Sequence, residues 1–92
     1  MSGLFRGAYF SGATFFEAHI NGFFNESIFR DANLQGAVFR DAIFTDSDFA
    51  RADLSDCQAI ASNFSWTRLT STTFRESLLM KSCFVGANLT DA

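Results

Sequence analysis

A large apolar residue returns at every fifth position along most of this chain. From Phe24 it recurs at Phe29, Leu34, Phe39, Phe44, Phe49, Leu54, Phe64, Leu69, Phe74, Leu79, Phe84 and Leu89, with Ala59 as the one small occupant. Upstream, Phe5, Phe10, Phe15 and Ile20 keep the same interval. Two residues before each of these stands a small side chain, as in Ala18, Gly22, Ser27, Ala32, Ala37, Ala42, Ser47, Ala52 and Cys57. The unit is small-x-large-x-x. It slips once, between Ile20 and Phe24, where the interval drops to four.

A period of five suits neither regular element. On an α-helix five residues turn about 140° past a full rotation, which scatters the large side chains around the cylinder. On a flat strand an odd period throws successive residues onto opposite faces. The large residues converge if each unit is one side of a coil and the chain bends at each corner. Four sides then close a square, and squares stacked at the strand spacing of about 4.8 Å build a solenoid. The large residue points at the axis, the small one fills the space beside it, and the other three positions face solvent.

The stretches DANLQ, RADLS and GANLT carry a further pattern, Ala followed by Asp or Asn and then Leu, and DAIFT and GAVFR keep its Ala and its large residue with Ile or Val between them. In this the chain resembles the pentapeptide-repeat family, over about residues 3–91. The resemblance implies an all-β fold, a right-handed quadrilateral parallel β-helix; the handedness comes from the family and not from the spacing. Residues 1–92 then read as one domain of about four and a half coils, complete or part of a longer array.

Taking every fourth unit as one face sorts the inward residues into columns. The first is Phe5, Phe24, Phe44, Phe64 and Phe84; the second Phe10, Phe29, Phe49, Leu69 and Leu89; the third Phe15, Leu34, Leu54 and Phe74; the fourth Ile20, Phe39, Ala59 and Leu79. An unbroken Phe column predicts rings stacked up one wall. The four-residue unit falls at the end of the first coil, where Asn21-Gly22 suits a tight turn that trims a corner without breaking the core.

Composition narrows the function classes. Phe supplies 13 of the aromatic residues against one Tyr and one Trp, a surplus that points to packing, since Phe has no polar handle. A net charge of −3 argues against direct nucleic-acid binding, which calls for a basic stripe. No apolar run is long enough to cross a membrane as a helix, and the first ten residues do not read as a signal peptide. Two cysteines make no disulfide framework, so a cytoplasmic protein is expected.

Chemistry is sparse. His19 is the only histidine, so neither a histidine metal cluster nor a Ser-His-Asp triad assembles within one chain. Glycine-rich phosphate loops are absent, and no cofactor, catalytic residue, metal site or small-molecule substrate is expected. Cys57 occupies a small inward position, as a core filler would; Cys83 faces outward.

The outward positions are where function must reside. The third face carries Glu17, Asp53, Asp56 and Glu76 against Arg75. Such a face is solvated decoration or, in members of the family that protect DNA gyrase and topoisomerase IV, a mimic of duplex phosphates. Leu4, Phe23 and Ile43 line the first face, and Val38, Ile60, Leu78 and Met80 the fourth, so the corner between them presents apolar surface of the kind that marks interfaces. Trp66 projects from the first face as a candidate hot spot. The expected function is a non-enzymatic scaffold that binds a protein partner or itself; the alternative is a DNA-mimicking gyrase or topoisomerase protector. One fold hosts unrelated roles, so the sequence names no partner.

Overall fold

The structure is a computed structural model that describes residues 4–79 and 81–91. The chain winds as a four-sided parallel β-helix in which every wall repeats from coil to coil. On the fourth wall the pairing is long enough to form three strands, β1 (His19–Phe23), β2 (Val38–Ile43) and β3 (Gln58–Ile60), parallel and in the order β1-β2-β3. The other walls are single parallel bridges. Leu4 pairs with Phe23, and Ile43 with Asn63 and then Cys83 below it. Tyr9, Ile28, Asp48, Arg68 and Asn88 form the second such column, and Thr14, Asn33, Asp53 and Thr73 the third.

On the first three walls each corner is built the same way. The amide of the small residue donates back to the carbonyl of the preceding large residue, as from Ala32 to Phe29 at 3.1 Å and from Ser47 to Phe44 at 3.0 Å. On the fourth wall the amides of Ala42 and Ser62 donate instead to the hydroxyls of Ser62 and Ser82 at 3.3 and 3.4 Å. On all four walls the second residue after the large one is left-handed, with φ between 52° and 63° at its thirteen non-glycine occupants among the described residues. On the first three walls that is the geometry of a type II turn, which demands positive φ at its third position. A non-glycine residue there carries strain. The next coil holds it in place: the amides of Glu26 and Asp56 donate to the carbonyls of Thr45 at 3.0 Å and Arg75 at 2.8 Å.

Following the amides around a unit explains the Asp or Asn before the large residue. The large residue and the one before it donate to adjacent coils, as Phe44 does to Asn63 at 2.7 Å and Asn63 to Ala42 at 2.8 Å. The small and left-handed residues are satisfied as described. One amide per unit, just after the large residue, has no such partner. Asn33, Asp48, Asp53, Asn63 and Asn88 accept it on a side-chain oxygen, from Gln35, Ala50, Ser55, Ser65 and Thr90, at 2.9 to 3.1 Å. A buried amide left unpaired would cost about 1–3 kcal/mol, so in the units that carry it the acid or amide serves the coil as a cap. The expectation that all three outward positions face solvent is corrected here. Asn33, Asp48, Asp53 and Asn63 are half-buried, and the residues they cap include buried Ala50, Ser55 and Ser65.

The core is the inward columns. Phe24, Phe29, Phe39, Phe44 and Phe49 are fully buried together with Leu34, Leu54, Ala59 and Leu69. On the first wall the ring centroids of Phe5, Phe24, Phe44, Phe64 and Phe84 follow one another at 5.1, 5.2, 5.0 and 5.1 Å, each pair stacked. Phe10, Phe29 and Phe49 stack on the second wall at 5.0 and 4.7 Å. Between walls the rings meet edge to face, as Phe39 and Phe44 do at 5.4 Å. Burial fades toward both ends of the described solenoid. Phe5, Phe10, Phe15, Phe74, Leu79 and Phe84 are only partly covered, and Leu89 is 47% exposed.

Hydroxyls at the small positions stitch successive coils together. Ser47 Oγ donates to the Phe24 carbonyl at 2.7 Å and accepts the Ser27 amide at 3.2 Å; Ser27 Oγ donates to the Phe5 carbonyl at 2.7 Å, and Thr72 Oγ1 to that of Phe49 at 2.8 Å. No buried side-chain nitrogen or oxygen among the described residues lacks a partner. Ser47→Ala removes a buried donor and acceptor at once and is expected to destabilise the protein by about 1–3 kcal/mol, read from the midpoint of urea unfolding.

The slip is a feature of β1. His19 pairs with Val38 and Ile20 with Phe39, but Gly22 pairs with Ala42, so Asn21 alone faces Arg40 and Asp41. The chain does not make an isolated tight turn here; β1 runs extended through the corner. Gly22 stands two residues after Ile20, the left-handed place, and two before Phe24, the small inward place. Both roles fall on one residue, and its φ of 115° lies well beyond that of the ordinary corners. Only glycine adopts that backbone without strain.

Candidate protein-binding walls

Most of the acidic residues are set by the turn. Glu17, Glu26, Asp31, Asp41, Asp46, Asp56, Glu76 and Asp91 all occupy left-handed corner positions; Asp48 and Asp53 alone sit elsewhere, capping amides. Aspartate tolerates positive φ better than most residues, which accounts for part of this choice. The carboxylates therefore line the corners unevenly, with two each on the first and second, three on the third and Asp41 alone on the fourth. On the third corner Glu17, Asp56 and Glu76 share a ridge, and Asp53 is half-buried on the wall beside it. Asp53, Asp56, Arg75 and Glu76 line a shallow depression with Gln35, Ser55 and Thr73.

Cations interrupt the other ridges. Arg51 Nε and Nη2 donate to the Asp31 carboxylate at 2.8 and 3.1 Å across successive coils of the second corner, and Arg6 pairs with Glu26 at 3.1 Å. Arg30 pairs with Asp48. The hydrogen bond from Arg51 holds the Asp31 carboxyl below the usual carboxylate range. The folded value being the lower, this pair's contribution is present above the ordinary carboxylate pKa and is lost as pH falls through the depressed one. Both partners are exposed, so that contribution is small.

The apolar surface concentrates on the first wall. Leu4 is 79% exposed and Phe23, its neighbour one coil on, 52%. Ile43 continues the column half-buried. Across the corner Leu78 is exposed, while Val38 and Ile60 are half-buried. Met80 lies outside the described residues. Trp66 stands lower, at the left-handed position after Phe64, 62% exposed. It is turned onto Gly86 of the next coil, where a Cβ would come within 2.3 Å of the ring. This contact, twenty residues away in sequence, has no local signal.

Described residues line concave features elsewhere on the solenoid as well. His19, Ile20, Asn21, Val38 and Arg40 line a notch of about 240 Å³ at the slip. Phe74, Leu79, Phe84 and Leu89 line an apolar bowl of about 390 Å³ in the last described coil. No group of three or more His, Cys, Asp and Glu among the described residues could hold a metal ion.

The two thiols differ. Burial raises the pKa of Cys57, opposed by a contact with the Ser77 hydroxyl at 3.5 Å. Contact with the Ser65 hydroxyl, at 3.2 Å, lowers that of the half-buried Cys83. A thiol reagent such as DTNB is expected to modify Cys83 in the native protein and Cys57 only after unfolding. Stoichiometry in buffer and in urea reads this directly.

The sequence profile described as pentapeptide repeats (8 copies) matches residues 24–58 and 60–92. The chain belongs to the pentapeptide-repeat family, and its fold is the right-handed quadrilateral β-helix. Among solved structures it is similar to a trypsin-treated M102R form of QnrB1, a plasmid-mediated fluoroquinolone resistance protein. There the TM-score is 0.69 and the identity 22%, over 95% of this chain and 48% of that one. Full-length QnrB1 gives a TM-score of 0.52 and 21% identity, over 96% of this chain and 48% of that one. HetL, a pentapeptide repeat protein involved in heterocyst differentiation regulation from the cyanobacterium Nostoc sp. strain PCC 7120, gives 0.55 and 22%, over 94% of this chain and 46% of that one. The chain thus spans about half the length of these structures. No curated protein sequence matches it. None of its described helices or strands is a helix long and apolar enough to cross a membrane.

Proposed function

We propose that this chain is a non-enzymatic scaffold that binds protein, a second copy of itself included, through the outer faces of its solenoid. The observation that carries this reading is the apolar column of the first wall. Leu4 and Phe23 lie side by side on successive coils, continued by Ile43, and are exposed. The core does not need them, because Phe5, Phe24 and Phe44 already fill the inner side of the same wall. Contiguous exposed apolar surface on a rigid frame is typical of interaction sites. Both cysteines are free thiols, which suits a reducing compartment such as the cytoplasm.

Light scattering across a concentration series tests self-association. The wild-type protein is expected to grow in mean mass with concentration, and Phe23→Asp to remain monomeric with its melting temperature little changed. A wild-type monomer at high concentration, indifferent to Phe23→Asp, removes self-association through this column.

The second reading, protection of DNA gyrase or topoisomerase IV by duplex mimicry, draws on the carboxylate ridges. Stacked corners repeat negative charge along the solenoid axis, as phosphates repeat along a duplex. The spread of these carboxylates over four corners, with Arg6 and Arg51 among them, favours the scaffold. A gyrase supercoiling assay with and without a quinolone separates the two; no effect at micromolar protein removes mimicry.

A further inference from the structure

Trp66 contributes nothing to the inward columns, yet two features of the chain hold it where it is. Its φ of 59° places a bulky side chain in the left-handed region, where such residues are genuine outliers. Directly below it Gly86 leaves bare backbone, so the indole lies flat on the corner of the next coil. With one side of the ring against Gly86, Trp66 as a whole is still 62% exposed.

The residue one coil above Trp66 on the same ridge is Asp46, and above that is Glu26. The second corner shows what this arrangement lacks. There, Asp31 and Arg51 occupy the matching positions on successive coils, and carboxylate and guanidinium meet at 2.8 and 3.1 Å. On the first corner the carboxylate is present at Asp46, but an indole stands where the second corner has its cation. Glu26 already has Arg6. Asp46 is in none of the ion pairs found among the described residues.

The geometry points to a cation-binding site on this corner: an arginine or lysine side chain of a protein partner lies over the exposed indole of Trp66 and pairs with Asp46. Indole is the strongest aromatic acceptor of a cation, and Asp46, on the coil adjoining that of Trp66 and on the opposite side from Gly86, supplies the counter-charge to a long cationic side chain that reaches across both. The net charge of −3 favours approach of a basic segment. The inference rests on the reading that the outer faces bind protein, and it specifies the chemistry of the partner.

Trp66 is the only tryptophan, so its fluorescence reports the site without a label. The full chain is titrated with acetyl-triarginine amide and, separately, with acetyl-triglutamate amide. A saturable change with the arginine peptide is expected, weakened about threefold to tenfold by Asp46→Asn and reduced by added salt. The glutamate peptide is expected to leave the emission unchanged. Asp46 sits at an exposed corner where asparagine is tolerated, and a melting curve confirms that the variant is folded. An equal response in Asp46→Asn, no response to the arginine peptide, or an equal response to both peptides overturns the site. Light scattering of Phe23→Asp reads a separate surface, so failure here with Phe23-dependent association intact rejects this site alone.

Discussion

Phe44→Ala is expected to unfold the protein or lower its melting temperature strongly, while Thr45→Ala melts close to the wild type. Phe44 is fully buried at the middle of the first-wall stack, 5.2 Å from Phe24 and 5.0 Å from Phe64. Rings from three other units, Phe29, Phe39 and Phe49, meet it edge to face at 5.7, 5.4 and 5.2 Å. Truncation opens a cavity that the solenoid cannot collapse, because the coils above and below are tied by backbone hydrogen bonds at their fixed spacing. The cost is about 3–5 kcal/mol, comparable with the whole stability of a small domain. Thr45 points away from the axis and its side chain takes part in none of the coil-to-coil hydrogen bonds among the described residues, so its removal leaves the stack untouched. Thermal melting of the two variants side by side decides the matter, and equal midpoints would reject the inward register.

Gly22→Ala is the second large effect. Elsewhere an alanine at the left-handed corner is accepted, as Ala61 shows at φ 52°. Gly22 stands at 115°, outside the left-handed well of an L-residue, because one residue must serve both as the corner of one unit and as the inward small residue of the next. Strain of about 1–3 kcal/mol follows. Gly12→Ala is the control. Gly12 has an ordinary corner φ of 68°, and a Cβ there meets nothing within 4 Å. Denaturant midpoints are expected to fall clearly for Gly22→Ala and by the lesser cost of an ordinary left-handed alanine, about 1 kcal/mol, for Gly12→Ala.

The fold was legible because one property, the five-residue return of Phe and Leu, is both local and global. A side chain such as Phe44 declares its orientation by its interval from Phe39 and Phe49, and the square coil follows from bringing them all to one axis. The slip at Asn21 was legible as a missing count. What escaped is carried by contacts about twenty residues apart or by the backbone. The outward Asp and Asn looked solvated because their task, capping the amide just after the large residue, appears only once every other amide has been assigned. Asp53 thus reads from sequence as part of an acidic face and in the structure as a half-buried cap. The corner carboxylates mark the left-handed residue, which a five-residue period alone does not distinguish from its neighbours. Trp66 over Gly86 joins two units twenty residues apart, and nothing in the repeat pattern they share marks the contact.

The most direct test of the coil is the sequence separation of amides that contact across it, measured by NOEs in solution. Before the slip, Phe5, Phe10 and Phe15 donate to carbonyls eighteen residues on, at Phe23, Ile28 and Asn33. After it, Phe24, Phe29 and Phe44 donate to carbonyls nineteen residues on, at Ile43, Asp48 and Asn63. Inter-coil NOEs are expected to lengthen by one residue on passing Asn21–Gly22 and to stay constant thereafter. A single separation along the whole chain, or the absence of contacts at either, would contradict a solenoid of stacked square coils with one shortened corner.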